Sequence, residues 1–438
     1  MIRARLSTFD AAMIAVSLVV GIGIFRTPAI VAQGTGTPSR FFLVWILGGV
    51  VAASGALTFA EIGSWMAVPG GYYRAVAECY HPALAFMLNW AGVLMQGAGA
   101  AGVAFIAAEH LTPLVLPVSM RGDAAVPAVA SVLMVALLGI NYAGIRAGAN
   151  AQNALSILKI AMILVLAGAA FLGPRAAAGP ASASPIGWDA FVGAFVAVLY
   201  TYGGAHNVIN VGGDVRGASR TLPRAILIGL AIVLFLYLTL NAAYARALGI
   251  EGVAASRLVA AELARVRFGA SGYVVVSVAI VLSALGFVNA TILHVPRSYY
   301  AMAQDRLLPR FFLRVDPATE VQKGALLFLA ATMLLPALML GSFEKLLSYV
   351  VFTDALSLTI AATTIFVLRR RARGVDGDGR FRALGYPVVP AIFVLSLAAI
   401  AVLLLVTRRE SSLWGVAIFL SGFPLYAVMR RLQAGRPG

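Results

Sequence analysis

Twelve apolar stretches, each near or beyond the ~20 residues that carry an α-helix across ~30 Å of hydrocarbon, divide the chain almost from end to end. They fall at about 8–33, 41–66, 83–109, 124–143, 150–173 and 188–211, then at about 221–247, 271–303, 323–341, 345–368, 386–406 and 412–430. A bilayer core offers no water to the peptide groups, so runs of this length must bond their own backbone as helices. The pattern therefore predicts an all-α integral membrane fold with twelve transmembrane helices, and an even number puts both termini on one face.

Two of these runs are interrupted in the same way, by Gly21-Ile22-Gly23-Ile24-Phe25 in the first and Tyr202-Gly203-Gly204 in the sixth. Glycine is common at ordinary helix contacts in membranes, but two interruptions five spans apart are where an inverted repeat of five helices would place them. In such repeats the half-helix ends face a site at the bilayer midplane.

Unwinding a helix in hydrocarbon strands polar groups at several kcal/mol each unless something satisfies them, and a zwitterion would do so. The amides of Ile22, Gly23 and Ile24 would open a half-helix whose positive end suits a carboxylate. The carbonyls of Tyr200, Thr201 and Tyr202 would accept an ammonium group. An α-amino acid gripped by its backbone atoms fits both ends, leaving selectivity to the pocket walls.

Composition narrows the alternatives. With 61% hydrophobic and 11% charged residues and a mean hydropathy of +0.92, a soluble fold is excluded. The net charge of +16 lies in short loops rather than on one exposed face, which argues against a nucleic-acid partner. Loops on the side of the termini hold about twice as many Lys and Arg as the opposite loops, which predicts cytoplasmic termini. Arg far outnumbers Lys and Ala is abundant, pointing to a GC-rich bacterial source and hence an inner membrane.

Cys79 is the only cysteine, so neither an internal disulfide nor a thiolate metal cluster is expected. The first apolar run follows Arg3 and Arg5 but is too long for a signal peptide, and it reads as an uncleaved span. No Ser/His/Asp set and no metal-spaced His/Glu set appears in the spans, so no catalytic residue, metal or cofactor is expected. A polytopic membrane enzyme would need exposed acids or histidines in its loops, which are short and Arg-rich.

The interrupted motifs, with Thr27-Pro28, Gly55-Ala56-Leu57-Thr58-Phe59-Ala60-Glu61-Ile62-Gly63 and Gly70-Gly71-Tyr72, resemble the amino acid/polyamine/organocation superfamily. Leu222-Pro223-Arg224-Ala225-Ile226, Gly286-Phe287-Val288-Asn289 with Arg297, Leu308-Pro309, and Ser421-Gly422-Phe423-Pro424 look most like its L-type amino acid transporter branch and extend the likeness over nearly the whole chain. The resemblance implies one transporter domain with a five-plus-five inverted repeat: repeat one at about 8–173, repeat two at about 188–368, and accessory helices at about 386–430. It implies sodium-independent amino-acid movement by alternating access, as antiporter or proton-coupled symporter. A polyamine or other organic-cation permease is the runner-up.

Carried over by motif, Ile22, Gly23 and Ile24 would meet the substrate carboxylate, Tyr200 would stand in for the gating aromatic, and Gly203 would border the substrate. Ile22 replaces a usual small or hydroxyl residue, Ala205 a usual Trp, and His206 a usual Asn, so the wall beside the second interruption is enlarged and repolarised. Animal members of the branch are tethered to a glycoprotein through a cysteine between spans 3 and 4. Residues 111–123 contain none, so no disulfide-linked subunit is expected, only the substrate and the lipid bilayer.

Charged residues inside the spans are costly and demand a role. Lys159 either snorkels to the cytoplasmic face or, as the resemblance implies, bridges spans 1, 5 and 8 where related folds bind sodium, with Ser283 as partner. Arg26 and Asp354 either pair above the substrate as an outer gate, as similarly placed charges do in sodium-coupled neurotransmitter symporters of this fold, or reach water separately. His206 and His294 are expected to be satisfied polar residues. Glu61 and Asp214 fit either inner gate contacts or interfacial solvation.

Overall fold

The computed structural model describes residues 4–176, 187–339, 343–372 and 380–434. Arg3, Arg373 and Arg436, three of the cations behind the orientation expectation, and the last two positions of the ninth predicted span lie outside them. The protein is all-α, with helices α1 (Thr8–Val19), α2 (Gly23–Thr35), α3 (Pro38–Trp65), α4 (Gly71–Cys79), α5 (Pro82–Val115), α6 (Ala125–Ala143), α7 (Ile145–Leu172) and α8 (Trp188–Thr201). They are followed by α9 (Ala218–Ala255), α10 (Val259–Phe268), α11 (Gly272–Gln304), α12 (Lys323–Met339), α13 (Phe343–Arg371), α14 (Val388–Thr407) and α15 (Arg409–Ala434).

Among the described residues, ten spans are long and apolar enough to cross a bilayer, or eleven when α1 and α2 are taken as one bent span. The remaining expected span is α12, a helix of 17 residues. Sequence periodicity did not separate α4 and α10, two short helices between spans. Each is fixed by a small buried face, Tyr73, Ala75 and Val76 in α4 and Val259, Ala260, Leu263 and Ala264 in α10.

The helix ends follow their local chemistry. Ser7 and Asp10 form a reciprocal capping box that starts α1. Thr37 caps α3 with Pro38 behind it, and His81 caps α5 with Pro82 behind it, placing each proline where its missing amide costs nothing.

In lipid, apolar side chains gain little by leaving the solvent, so association depends on close backbone approach. Gly34 of α2 shows this: an added Cβ would lie 2.5 Å from the Ala190 carbonyl oxygen of α8. Leu164 and Val165 of α7, Leu395 and Val402 of α14, and Trp414 and Phe423 of α15 remain exposed, as lipid-facing residues should. The core is instead where α1 packs on α7 and α9, α2 on α8, α3 on α9, and α5 on α11.

Candidate functional site

The first interruption is a true break. α1 ends at Val19, and α2 resumes at Gly23 with its axis bent by 44°. Among the described residues, the amides of Ile22, Gly23 and Ile24 have no hydrogen-bond acceptor outside a helix, and the first turn of α2 cannot supply one. Pro28 inside α2 lacks the amide that would otherwise bond the Ile24 carbonyl.

The second interruption is longer than its glycines indicated. α8 stops at Thr201, and after Tyr202-Gly203-Gly204 the chain continues as a 3₁₀ helix over Ala205–Asn210. Gly204 has φ 118°, a backbone conformation glycine alone takes readily, and an added Cβ would overlap the Leu18 carbonyl of α1. The two breaks are therefore in direct main-chain contact.

Side chains stitch them together. Thr27 and Thr201 hydroxyls are 2.7 Å apart. Thr201 already donates to the Ala197 carbonyl at 2.8 Å, so Thr27 must be the donor between them. Tyr237 of α9 shares its one hydroxyl proton between the Val19 carbonyl at 2.9 Å and the Thr201 carbonyl at 3.1 Å, one from each break. Sequence reasoning missed Tyr237, although a tyrosine in the middle of an apolar span signals a hydroxyl that needs a partner.

A cavity of about 540 Å³ opens beside the breaks, within the range of small-molecule sites. Of the residues singled out in the sequence, Ile22, Gly23, Arg26, Tyr200, Thr201, Gly203, His206, His294 and Asp354 line it, joined by Tyr72, Asn89, Gln96 and Asn207. A smaller cavity of about 60 Å³ adjoins it at Gly203, Gly204 and His206 and is walled by Phe59 and Phe393.

The Ile24 side chain is fully buried and does not line the cavity, which bears on the side chain and not on the amide expected to meet a carboxylate. Tyr202 turns away from the cavity, its ring 5.8 Å from Trp45 and 5.1 Å from Tyr237. The Tyr200 carbonyl accepts the Gly203 amide at 3.1 Å and the Thr201 carbonyl accepts Tyr237, so neither is left stranded as the pattern implied. The turn after Thr201 uses the first, and a side chain of α9 uses the second.

Lys159 lies behind the first break and is 0% exposed. Its ammonium donates to the Val20 carbonyl at 2.6 Å and to the Ser17 hydroxyl at 3.3 Å, and it faces Gly286 of α11, where an added Cβ would lie 3.0 Å from Nζ. Ser283 is not its partner, because its hydroxyl is buried without any hydrogen bond. Ser17 takes that place and passes the contact on to Ser156 at 2.8 Å, Gln152 at 3.1 Å, and from Gln152 to Asn289 at 2.9 Å.

Arg26 and Asp354 share the cavity, but no ion pair joins them in this conformation. His206 and His294 also differ from expectation. His206 Nε2 and both ring nitrogens of His294 are buried without hydrogen-bond partners.

The end of the bundle that carries the amino terminus is tied by ionic contacts. Arg297 holds Asp214 at 2.8 and 3.4 Å, with side chains only 6% and 1% exposed. The Asp214 carbonyl also receives the amides of Arg5 and Leu6 at 2.7 and 2.8 Å. Arg369 forks onto Glu61 at 2.6 and 2.7 Å, and Arg74 meets Asp305 at 2.6 Å. Glu61 and Asp214 are thus buried ion-pair partners rather than solvated groups.

Cys79 is buried against the Thr364 carbonyl, which leaves no thiol free to tether a subunit. The protein is similar over most of its length to curated relatives. These include the serine/threonine exchanger SteT of Bacillus subtilis, 26% identical over 99% of this chain and 98% of its own length. They also include the human large neutral amino acids transporter small subunit 2, 25% identical over 97% and 80%, and the human cystine/glutamate transporter, 25% identical over 97% and 85%. A family model described as amino acid permease matches residues 6–429, so this chain belongs to the amino acid permeases of the amino acid/polyamine/organocation superfamily and is a transporter, not an enzyme.

Proposed function

We propose that the protein moves α-amino acids across a bacterial inner membrane by alternating access, as a sodium-independent exchanger or a proton-coupled symporter. The observation that carries this reading is the opposition of two interrupted helices, tied by Tyr237, beside a cavity that meets the unpartnered amide end of α2. In it the amides of Ile22, Gly23 and Ile24 hold the carboxylate, the Tyr202 carbonyl receives the ammonium, Gly203 borders the substrate and Tyr200 closes over it. The names of the similar exchanger and transporters support an amino acid as cargo.

The proposed scaffold has twelve spans, with α1 and α2 as one and α12 included. Repeat one covers about 8–173, repeat two about 188–368, and accessory helices about 386–430. Both termini are cytoplasmic in this reading, from the Lys and Arg bias of the loops, so the ion-paired end is the closed inner gate and Arg26 with Asp354 forms the outer gate once it shuts.

Lys159 supplies a fixed cation where sodium would otherwise sit. It gives exchange if it keeps its charge through the cycle, and proton symport if it releases it. Uptake of labelled amino acids into proteoliposomes tests this. Uptake that needs internal amino acid identifies exchange, and uptake driven by an inward proton gradient alone identifies symport. Absence of uptake for every amino acid under both gradients would refute the proposal.

A further inference from the structure

Most buried polar groups in the spans are partnered, as the chain from Lys159 through Ser17, Ser156 and Gln152 to Asn289 illustrates. Of the buried side-chain atoms left without a partner among the described residues, only those of His206 and His294 belong to residues lining the central cavity. His206 is 8% exposed and His294 1%, so neither is a solvated surface group. Ring contacts hold the His206 imidazole, 5.2 Å from Phe59 and 6.5 Å from Tyr72, but those rings offer its nitrogens no acceptor.

An unpaired buried nitrogen costs the fold stability, and such groups call for an explanation such as a functional role. A neutral imidazole presents one N–H and one bare nitrogen, and so seeks one acceptor and one donor. A carboxylate side chain only accepts, an ammonium only donates, and an aliphatic side chain does neither. A hydroxyl supplies both from one atom, and a carboxamide from two.

We propose that His206 and His294 form a polar subsite that reads the substrate side chain and selects uncharged hydroxyl or carboxamide amino acids over aliphatic ones of the same shape. This rests on the amino-acid transport reading above and names its substrate class. His206 is placed for the task by the second break, two residues after Gly204, while His294 reaches the cavity from α11. A hydroxyl brought against these nitrogens supplies the missing donor and acceptor, whereas a methyl group supplies neither.

Threonine and valine are the sharpest probes because they differ by one hydroxyl for one methyl. In proteoliposomes the protein should transport threonine with a kcat/KM at least about tenfold above that for valine, the cost of leaving one such nitrogen unpaired. H294L should lower the threonine value about tenfold and change valine by less than about twofold. H294Q, which keeps a donor and an acceptor, should restore part of the preference. Robust uptake of both amino acids with a wild-type ratio within about twofold of one overturns the subsite and leaves the transport reading intact. Equal loss for both amino acids in H294L also overturns it. Absence of any amino-acid uptake overturns both. The wild-type ratio decides even where H294L does not fold.

Discussion

Tyr237→Phe removes one oxygen and leaves the ring, so it probes the tie between the two breaks without opening a cavity. In the wild-type protein the hydroxyl proton is shared between the carbonyls of Val19 and Thr201. Val19 keeps a second donor after the change, the Gly21 amide at 2.8 Å. The Thr201 carbonyl has no such replacement, and a buried acceptor left unpaired costs about 1–3 kcal/mol. The loss falls on the geometry that presents both breaks to the cavity, so it should appear in substrate handling as a drop of about 5- to 150-fold in kcat/KM.

The assay is initial uptake of the best substrate into proteoliposomes, with the amount of folded transporter normalised by monodisperse elution in detergent. A double-mutant cycle with Thr27→Val, which removes the other cross-break bond at 2.7 Å, should show coupling of at least about 0.5 kcal/mol, since both changes act on Thr201. Wild-type uptake by a well-folded Y237F protein, or strict additivity in the cycle, would refute the idea that the breaks are held as one unit.

Other outcomes follow from the same geometry. Lys159→Met leaves the Val20 carbonyl and Ser17 without their charged donor and should abolish uptake in sodium-free buffer, whereas wild-type uptake by well-folded K159M without sodium would show that the ammonium does not stand in for a cation. D214N strips the buried Arg297 of its counter-charge at about 3–5 kcal/mol and should favour inner opening, read as increased labelling of a cysteine placed at Ser298; unchanged labelling would remove this pair from the gate. Reversing Arg26 or Asp354 alone should stop uptake and reversing both should restore it, with failure of rescue excluding the outer gate. Asp316 accepts from Lys323, Thr319 and Ala318, donors that hold its carboxyl well below the usual carboxylate range. Its folded-state pKa is lowered, so the ordering it gives the 316–323 loop should be present above the ordinary carboxylate pKa and be lost only as pH falls through the lowered one, measured by proteolysis of the loop. Loss of protection already near pH 4 would contradict this.

What the sequence revealed best were the features that lipid enforces. Span positions and both breaks are visible because a bilayer tolerates neither unbonded backbone nor casual glycine pairs. What it concealed were contacts between side chains far apart in the chain. Tyr237 lies 36 residues from Thr201 and 218 from Val19, and no local pattern says that its hydroxyl meets both. Ser17 displaced Ser283 as the partner of Lys159 for the same reason, since spacing along α7 and α11 does not say that a hydroxyl of α1 lies nearer the ammonium. The carbonyls of Tyr200 and Thr201 were misjudged because counting stranded groups at a break assumes a straight exit and no distant donor, while the turn after Thr201 brings the Gly203 amide onto Tyr200 and Tyr237 of α9 reaches Thr201.

The contrast between the two ends of the bundle bears on how a carrier can cycle at all. The end near the amino terminus is shut by Arg297 with Asp214, Arg369 with Glu61 and Arg74 with Asp305, while Arg26 and Asp354 stand apart in the cavity. A gate closed by apolar packing would lose its full burial energy on opening to water. A buried ion pair behaves otherwise, because water that enters on opening repays the desolvation the charges suffered on closing. Closing and opening are then nearly balanced, and the differential binding of one small zwitterion is enough to tip them. Replacing Asp214 and Arg297 together with leucines should therefore leave the protein at least as stable but slower to cycle, seen as a raised melting temperature with a lowered uptake rate. A double-leucine variant that melts no lower and transports at the wild-type rate would show that the charges at this gate set nothing about the cycle.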